Sequence, residues 1–586
     1  MKKYLFLAIA LLGMASCTKD DINDGNNPIH SGEVETSYIA INLSASENTR
    51  AADGEYVKGA EAERAVKTAH FFFFKDGAPF PVNITDETVT SPGGTINHLS
   101  ASLEGSADGM DNVSDIKNVV LLISNYKGEF PNQIVAVLNW NPATKAYSLS
   151  ELETAVNIAT EYESTDYFVM SNAVYATTDK KVMNATPLTA ENIKADKDAA
   201  LAAPVSIYVE RVAAKVTVTT ANGSTKIDLN KPVSTNQLVD GVNTLVETDV
   251  YAQLLGWELH NDIPQSYLLK QIDPTWNDMD LGFTWNDAPW FRSYWATSLP
   301  LPTPDPAIES FKMSYATPLP AGFATEYGFA IGNNANFGTA DETANSFTYV
   351  GENTNGQVAG TKVILKAKLV DVAGNALEIA SWYGNQYIGE GDLRTAVANT
   401  LKYTLYYHDA VNDKYIGITP DDLQCVAGGT ADAPGGVAAN EVYFQLSKEP
   451  GLGEYRVNGW YKLVDGEYEQ VTSDSTNDYL KTYVQPGILY KSGETFYYVD
   501  IQHLGKRSLS APDTAVIAEY GVVRNHIYNI IINSIGGYGS PVYVGNSNLV
   551  TPDYPQVDGE ESFVSAQINI LSWRLVNQTV NIQPNN

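Results

Sequence analysis

Residues 204–220 read PVSIYVERVAAKVTVTT, a long and strongly β-branched run. Branched side chains are stiff at χ1 and fit a pleated surface, so the run predicts extended chain. Outward from it, short alternating or wholly apolar runs recur at 66–75, 118–125, 133–140, 361–370, 400–407, 441–446, 455–463, 495–501 and 516–535. Turn pairs punctuate them: Asp76-Gly77, Asn222-Gly223 and Asp465-Gly466. The Phe71-Phe72-Phe73-Phe74 run predicts a central strand packed on both faces. One helix is expected over 150–160, with Ser150 and Glu153 at capping-box spacing. The pattern is all-β: two β-sandwich domains with loop insertions and no repeat of fixed period. A Gly- and polar-rich stretch at 221–241 suggests the division between them. The Trp-, Pro- and Asn-rich region 257–354 reads as long loops and inserts.

The 586 residues carry 37 Lys+Arg against 69 Asp+Glu, a formal net charge of −32. A phosphate backbone or an anionic membrane surface needs a basic footprint, so neither is an expected partner. The apolar share of 44% is that of a globular chain. Two cysteines, Cys17 and Cys425, exclude a disulfide scaffold, and Cys425 reads as a buried free thiol. No histidine pair has metal-ligand spacing, and no phosphate loop, nucleophile elbow or complete EF-hand loop occurs. The expectation is therefore no metal, no cofactor and no catalytic residue.

The N-terminus reads as an address. Lys2 and Lys3 precede a short apolar stretch, Tyr4 to Leu12, which ends in Leu12-Gly13-Met14-Ala15-Ser16-Cys17. Small residues before a cysteine resemble the bacterial lipobox, which implies cleavage before Cys17 and diacylation of its thiol. A polar spacer leads to Tyr38-Ile39-Ala40-Ile41-Asn42-Leu43, where Ile39, Ile41 and Leu43 alternate as one apolar strand face. A second polar stretch follows and contains Arg50, with no other arginine before Arg64. A lone strand between loose segments has to pair with a sheet further along the chain.

Three segments resemble the Bacteroidetes fimbrillins, the type V pilins. Glu210-Arg211-Val212-Ala213-Ala214-Lys215-Val216 is similar to their E-R-x-x-A-K-V strand. Val523-Arg524-Asn525-His526-Ile527-Tyr528 is similar to their V-R-N-H-x-Y segment, with Gly539-Ser540-Pro541 following. Ile568-Asn569-Ile570-Leu571-Ser572-Trp573 is similar to their final strand, and its Trp ending is that of the minor-fimbrium shaft subunits. The resemblance implies transthyretin-like sandwiches and an outer-membrane lipoprotein precursor. It also implies an Arg-specific protease that cuts between Arg50 and Ala51, and an extracellular fimbrium built by strand exchange. Implied partners are identical subunits, accessory tip or anchor subunits, and host or bacterial surface ligands.

Under that implication the first strand (Ile39, Ile41, Leu43) is removed and a neighbour's C-terminal tail replaces it. In the tail Val576, Gln578, Val580 and Ile582 share one strand face. The expected organisation is a signal peptide at 1–16, a lipidated propeptide at 17–50, sandwiches at 51–221 and 222–562, and a final strand with donor tail at 563–586. The alternative is a surface glycan-binding lipoprotein that stacks sugars on Trp257, Trp285, Trp290 and Trp295.

Overall fold

The computed structural model describes residues 34–44, 63, 66–82, 96–101, 119–126, 130–154, 156–158, 168–176, 182–194, 197–202, 204–221, 223–239, 242–261, 263, 265–271, 296–300, 347–428, 433–435, 437, 441–448, 455–456, 459–503, 520–541, 563–571 and 575–579. The fold is all-β with few helices, as expected.

The first sheet is built from β1 (Val34–Ser44), β2 (Ala69–Lys75), β3 (His98–Ala101), β4 (Val119–Tyr126), β5 (Gln133–Leu138), β6 (Met170–Asn172) and β7 (Val205–Arg211). Its central order is β2-β5-β6-β7-β1-β4, with β3 on the far side of β2. The four phenylalanines of β2 divide by parity, as a period of two requires. Phe71 and Phe73 join a core with Ile134, Val205, Ile207 and Leu121. Phe72 and Phe74 join the core on the opposite face with Val135, Leu152 and Leu269. Asp76 and Gly77 close the turn after β2 with φ of 53° and 79°, the left-handed pair that matches strand twist.

The expected helix is shorter and shifted: α1 spans Leu149–Thr154. Its reciprocal cap joins Ser148 and Glu151: the Glu151 N–H donates to Ser148 Oγ and the Ser148 N–H to Glu151 Oε2. Val156–Ile158 is already a strand.

Past Val212 the chain leaves the first sheet for the second through β8 (Ala213–Thr220). The opening 204–220 run is thus two strands of two domains, and the change of sheet falls before the 221–241 stretch. Next come β9 (Tyr251–His260), β10 (Phe347–Gly351) and β11 (Lys362–Val370). Trp257, read as loop, lies within β9 and is 1% exposed. An inserted body follows, with α2 (Gly389–Leu401), β12 (Leu405–Asp409), β13 (Lys414–Gly417), β14 (Trp460–Val464), β15 (Glu467–Val471) and α3 (Ser473–Tyr483). The chain returns through β16 (Glu494–Asp500), β17 (Ile527–Gly536), β18 (Phe563–Leu571) and β19 (Leu575–Thr579).

Two five-stranded sheets make the second sandwich. One contains β10-β8-β17-β18-β19 in that order, and the other has β9-β11-β16 at its centre. Val216, Val218, Tyr528 and Ile530 of the first meet Leu254, Trp257, Val363 and Leu365 of the second in one core. Counting the Phe71 face of the first sheet as the first core and the sandwich interior as the second, the insert has a third, formed by Leu393, Val397, Leu405, Phe444, Trp460 and Leu480. Cys425 is buried in this core and forms no disulfide among the described residues, and burial pushes its thiol well above the ordinary range. Among the described residues no helix is long and apolar enough to cross a membrane.

His70 and His98 lie near each other on β2 and β3, with ring centroids 6.1 Å apart. Burial lowers both pKa values, and the charge of His98 lowers that of His70 further. A depressed histidine takes up its proton more readily unfolded, so stability is full above the unfolded value of about 6.5 and is lost as pH falls below it. Between pH 7 and pH 5 the wild type should therefore lose more thermal stability than a His70→Gln/His98→Gln variant. Parallel melting curves in calorimetry would refute this.

Candidate functional site

β1 is threaded between two strands. It runs antiparallel to β4 over eight paired positions, from Val34↔Tyr126 to Ile41↔Val119. On its other side it runs parallel to β7 over four, from Ile41↔Val205 to Ser44↔Tyr208. The register sets Ile39 opposite Leu121, Ile41 opposite Val205 and Leu43 opposite Ile207. Leu121, Val205 and Ile207 are all buried in the first core. Without β1, β4 and β7 would each present an unpaired row of N–H and C=O groups beside these apolar residues, an edge that demands another strand.

The described tail does not stand free. β19 pairs antiparallel with β18 at the sheet edge, with Val576 opposite Ile570 and Gln578 opposite Ile568. Tyr528 and Ile530 of β17 continue those two rows into the second core. Cys17, Arg50, Ala51, Val580 and Ile582 lie outside the described residues, as do Trp285, Trp290 and Trp295. Trp257 packs in the second core and presents no stacking face. Among the described residues no cluster of three or more His, Cys, Asp or Glu could hold a metal.

The charged residues of the two sequence motifs meet where the sandwiches join. Arg524 is fully buried and forks onto Glu352, with Nη2–Oε2 at 3.1 Å and Nε–Oε2 at 3.3 Å. Its Nη2 and Nη1 also donate to the carbonyls of Tyr267, at 2.7 Å, and Leu268, at 3.2 Å. Arg211 donates to Asn525 Oδ1 and to the Glu63 carbonyl. Lys215 reaches the Glu63 carboxylate at 2.9 Å, and the Tyr349 hydroxyl donates to it at 2.6 Å. Glu210 is paired with Lys270 at 3.4 Å. Burial raises the Glu210 pKa, while the charges of Lys270 and Arg524 oppose that rise. Asn525 takes a positive φ of 59°, which lets its N–H reach the Ala213 carbonyl at 2.8 Å. The partners Glu63, Lys270 and Glu352 carry no local sequence signal; only the fold brings them to the motifs.

Residues 488–579 match the family described as "Major fimbrial subunit protein type IV, Fimbrillin, C-terminal". That segment contains β16–β19 and both C-terminal motifs, in agreement with the fimbrillin resemblance. No curated protein matches the chain. Solved structures align along it at low identity. A fimbrilin from Porphyromonas gingivalis aligns at 12% identity, covering 91% of this chain and 96% of its own, with a TM-score of 0.30. The tip fimbrial protein Mfa3 of Porphyromonas gingivalis, with a C-terminal truncation, aligns at 11%, covering 91% and 99%, with a TM-score of 0.26. A fimbrial assembly protein from Parabacteroides distasonis aligns at 13%, covering 59% and 91%, with a TM-score of 0.23.

Proposed function

We propose that this chain, whose C-terminal segment is that of a fimbrillin, is a shaft-forming subunit of a surface fimbria. It is exported as a lipoprotein acylated at Cys17, cut between Arg50 and Ala51 by an Arg-specific protease, and polymerised by strand exchange. The resulting fimbrium mediates adhesion. The observation that carries this reading is the seat of β1. The strand is held by backbone ladders on both sides, over eight and four positions. The sequence directly beyond it is polar and holds Arg50. Such a strand fills its sheet until the connection is cut and then leaves a slot of its own shape.

An exchanged strand also has a ladder to gain. Among the described residues β19 has five paired positions, all on one side. In a neighbour's β1 slot the tail would have partners on both sides, and each net backbone bond contributes about 1 kcal/mol. The test is digestion of the purified precursor with an Arg-specific protease, followed by electron microscopy. Wild type should form fibres whose subunits begin at Ala51, and Arg50→Ala should remain folded and monomeric. Fibres from the uncut variant would overturn the cleavage step.

A further inference from the structure

The inserted body carries an aromatic face that strand exchange does not use. β12, β13, β14 and β15 form one antiparallel sheet in the order β13-β12-β14-β15. Leu405, Tyr407 and Trp460 supply its inner face to the third core. The alternate residues Tyr406, His408, Tyr415, Tyr461, Leu463 and Tyr468 share the other face by register. Tyr415 and Tyr468 stack at 3.8 Å with planes 8° apart. Tyr461 stands edge-on to Tyr415 and Tyr406 to Tyr468, each at 5.0 Å. Leu463 is 42% exposed and Tyr415 38%. Cross-strand aromatic pairs stabilise a small sheet, but that role does not need the open leucine.

Charge selects the occupant. The turns at the two ends of this face carry Asp409, Asp413 and Asp465 against Lys414, with Asp413 held 3.0 Å from His408, while Glu467 and Glu469 alternate with Tyr468 onto the inner side beside Lys462. β14 is antiparallel to β12, so the Asp465 turn and the Asp413 turn bracket the aromatic face from opposite ends. A second copy of a chain with net charge −32 would meet like charge at that rim. A neutral sugar prefers a flat, fully open ring, and here Tyr415 and Tyr468 cover one face of each other while Tyr461 and Tyr406 meet them edge-on. We infer that this face docks an extended, Lys/Arg-rich polypeptide segment, with apolar residues on the tyrosine array and cations at the acidic ends. Rigid tyrosines give such contact area at little entropic cost.

The uncleaved monomer carries the face complete, so the test is independent of polymerisation. The probe is a fluorescent 12-residue peptide, four repeats of Arg-Leu-Ser, read by anisotropy beside its Glu-Leu-Ser counterpart and maltoheptaose. The expected result is one-to-one binding of the basic peptide alone, weakened by salt. Tyr468→Ser and Leu463→Ser, which leave the charge unchanged, should each weaken it about tenfold. Leu463→Ser leaves the ring stack intact and decides the matter if Tyr468→Ser fails to fold. Unchanged affinity in the folded variants would assign binding to diffuse acidity and overturn the proposal. Absent peptide binding, equal binding of the acidic peptide, maltoheptaose bound at these residues, or self-association dependent on Leu463 would overturn it as well.

Discussion

Arg524→Ala should destabilise the second sandwich by about 3–5 kcal/mol, because it leaves the buried Glu352 carboxylate without its partner. Arg524 and Glu352 are 0% and 1% exposed, so water cannot take over the lost bonds without opening the junction. The same change removes the guanidinium donors from the carbonyls of Tyr267 and Leu268, of which Leu268 keeps the Ser171 hydroxyl. The fold has separate cores, so a single unfolding transition is not assumed. The measurement is hydrogen exchange across β17 and β8, together with urea unfolding followed by tryptophan fluorescence.

The double variant Arg524→Leu/Glu352→Leu should recover most of the loss. Replacing a buried pair with apolar residues removes both desolvation costs at once. A single variant that costs under about 1 kcal/mol would place the pair with weak surface bridges and refute its role as a clamp.

The strands of this fold were legible where side-chain parity carried the information. Phe71–Phe74 announced burial on both faces, and the structure divides them between two cores. Asp76-Gly77 announced its turn because only a pair at ease with positive φ closes it. The helix α2 was missed: Leu393, Val397 and Leu401 follow helical spacing, but Gly389, Gly391 and Thr395 obscured it, and 400–407 read as a strand. The third core was invisible for another reason. Strands of an insert have the same period as strands of its host, and only long-range pairing tells them apart. The strand β1 was readable from Ile39, Ile41 and Leu43. Its place between β4 and β7 was not, since no local pattern specifies a partner. The motif charges Arg211, Lys215 and Arg524 were visible, but their common purpose depends on Glu63 and Glu352, distant in sequence.

Val580→Asp should abolish polymer formation after Arg-specific digestion, while Asn581→Asp should leave it nearly unchanged. The contrast rests on the strand period of two. In a strand running through the tail, Val576, Val580 and Ile582 would share one face and Asn581 would belong to the other. If the tail is the exchanged strand, three aliphatic side chains buried against a slot lined by Leu121, Val205 and Ile207 would contribute roughly 5–9 kcal/mol on area grounds. An unpaired carboxylate in that face costs several kcal/mol or forces its own protonation. That cancels most of the gain, and ordering the tail still has to be offset. β19 sharpens the choice of position. Val576 pairs opposite Ile570 in the subunit's own sheet, so a charge there would disturb donor and monomer together. Val580 is therefore the position tested, with the melting curve of its monomer as the control. Deleting 580–586 should likewise stop polymerisation and leave the monomer's melting curve unchanged. Polymer yields that are equal for the two Asp variants would show that the tail is not the exchanged strand in this register. Unfolding of the Val580→Asp monomer would show that the tail belongs to its own core.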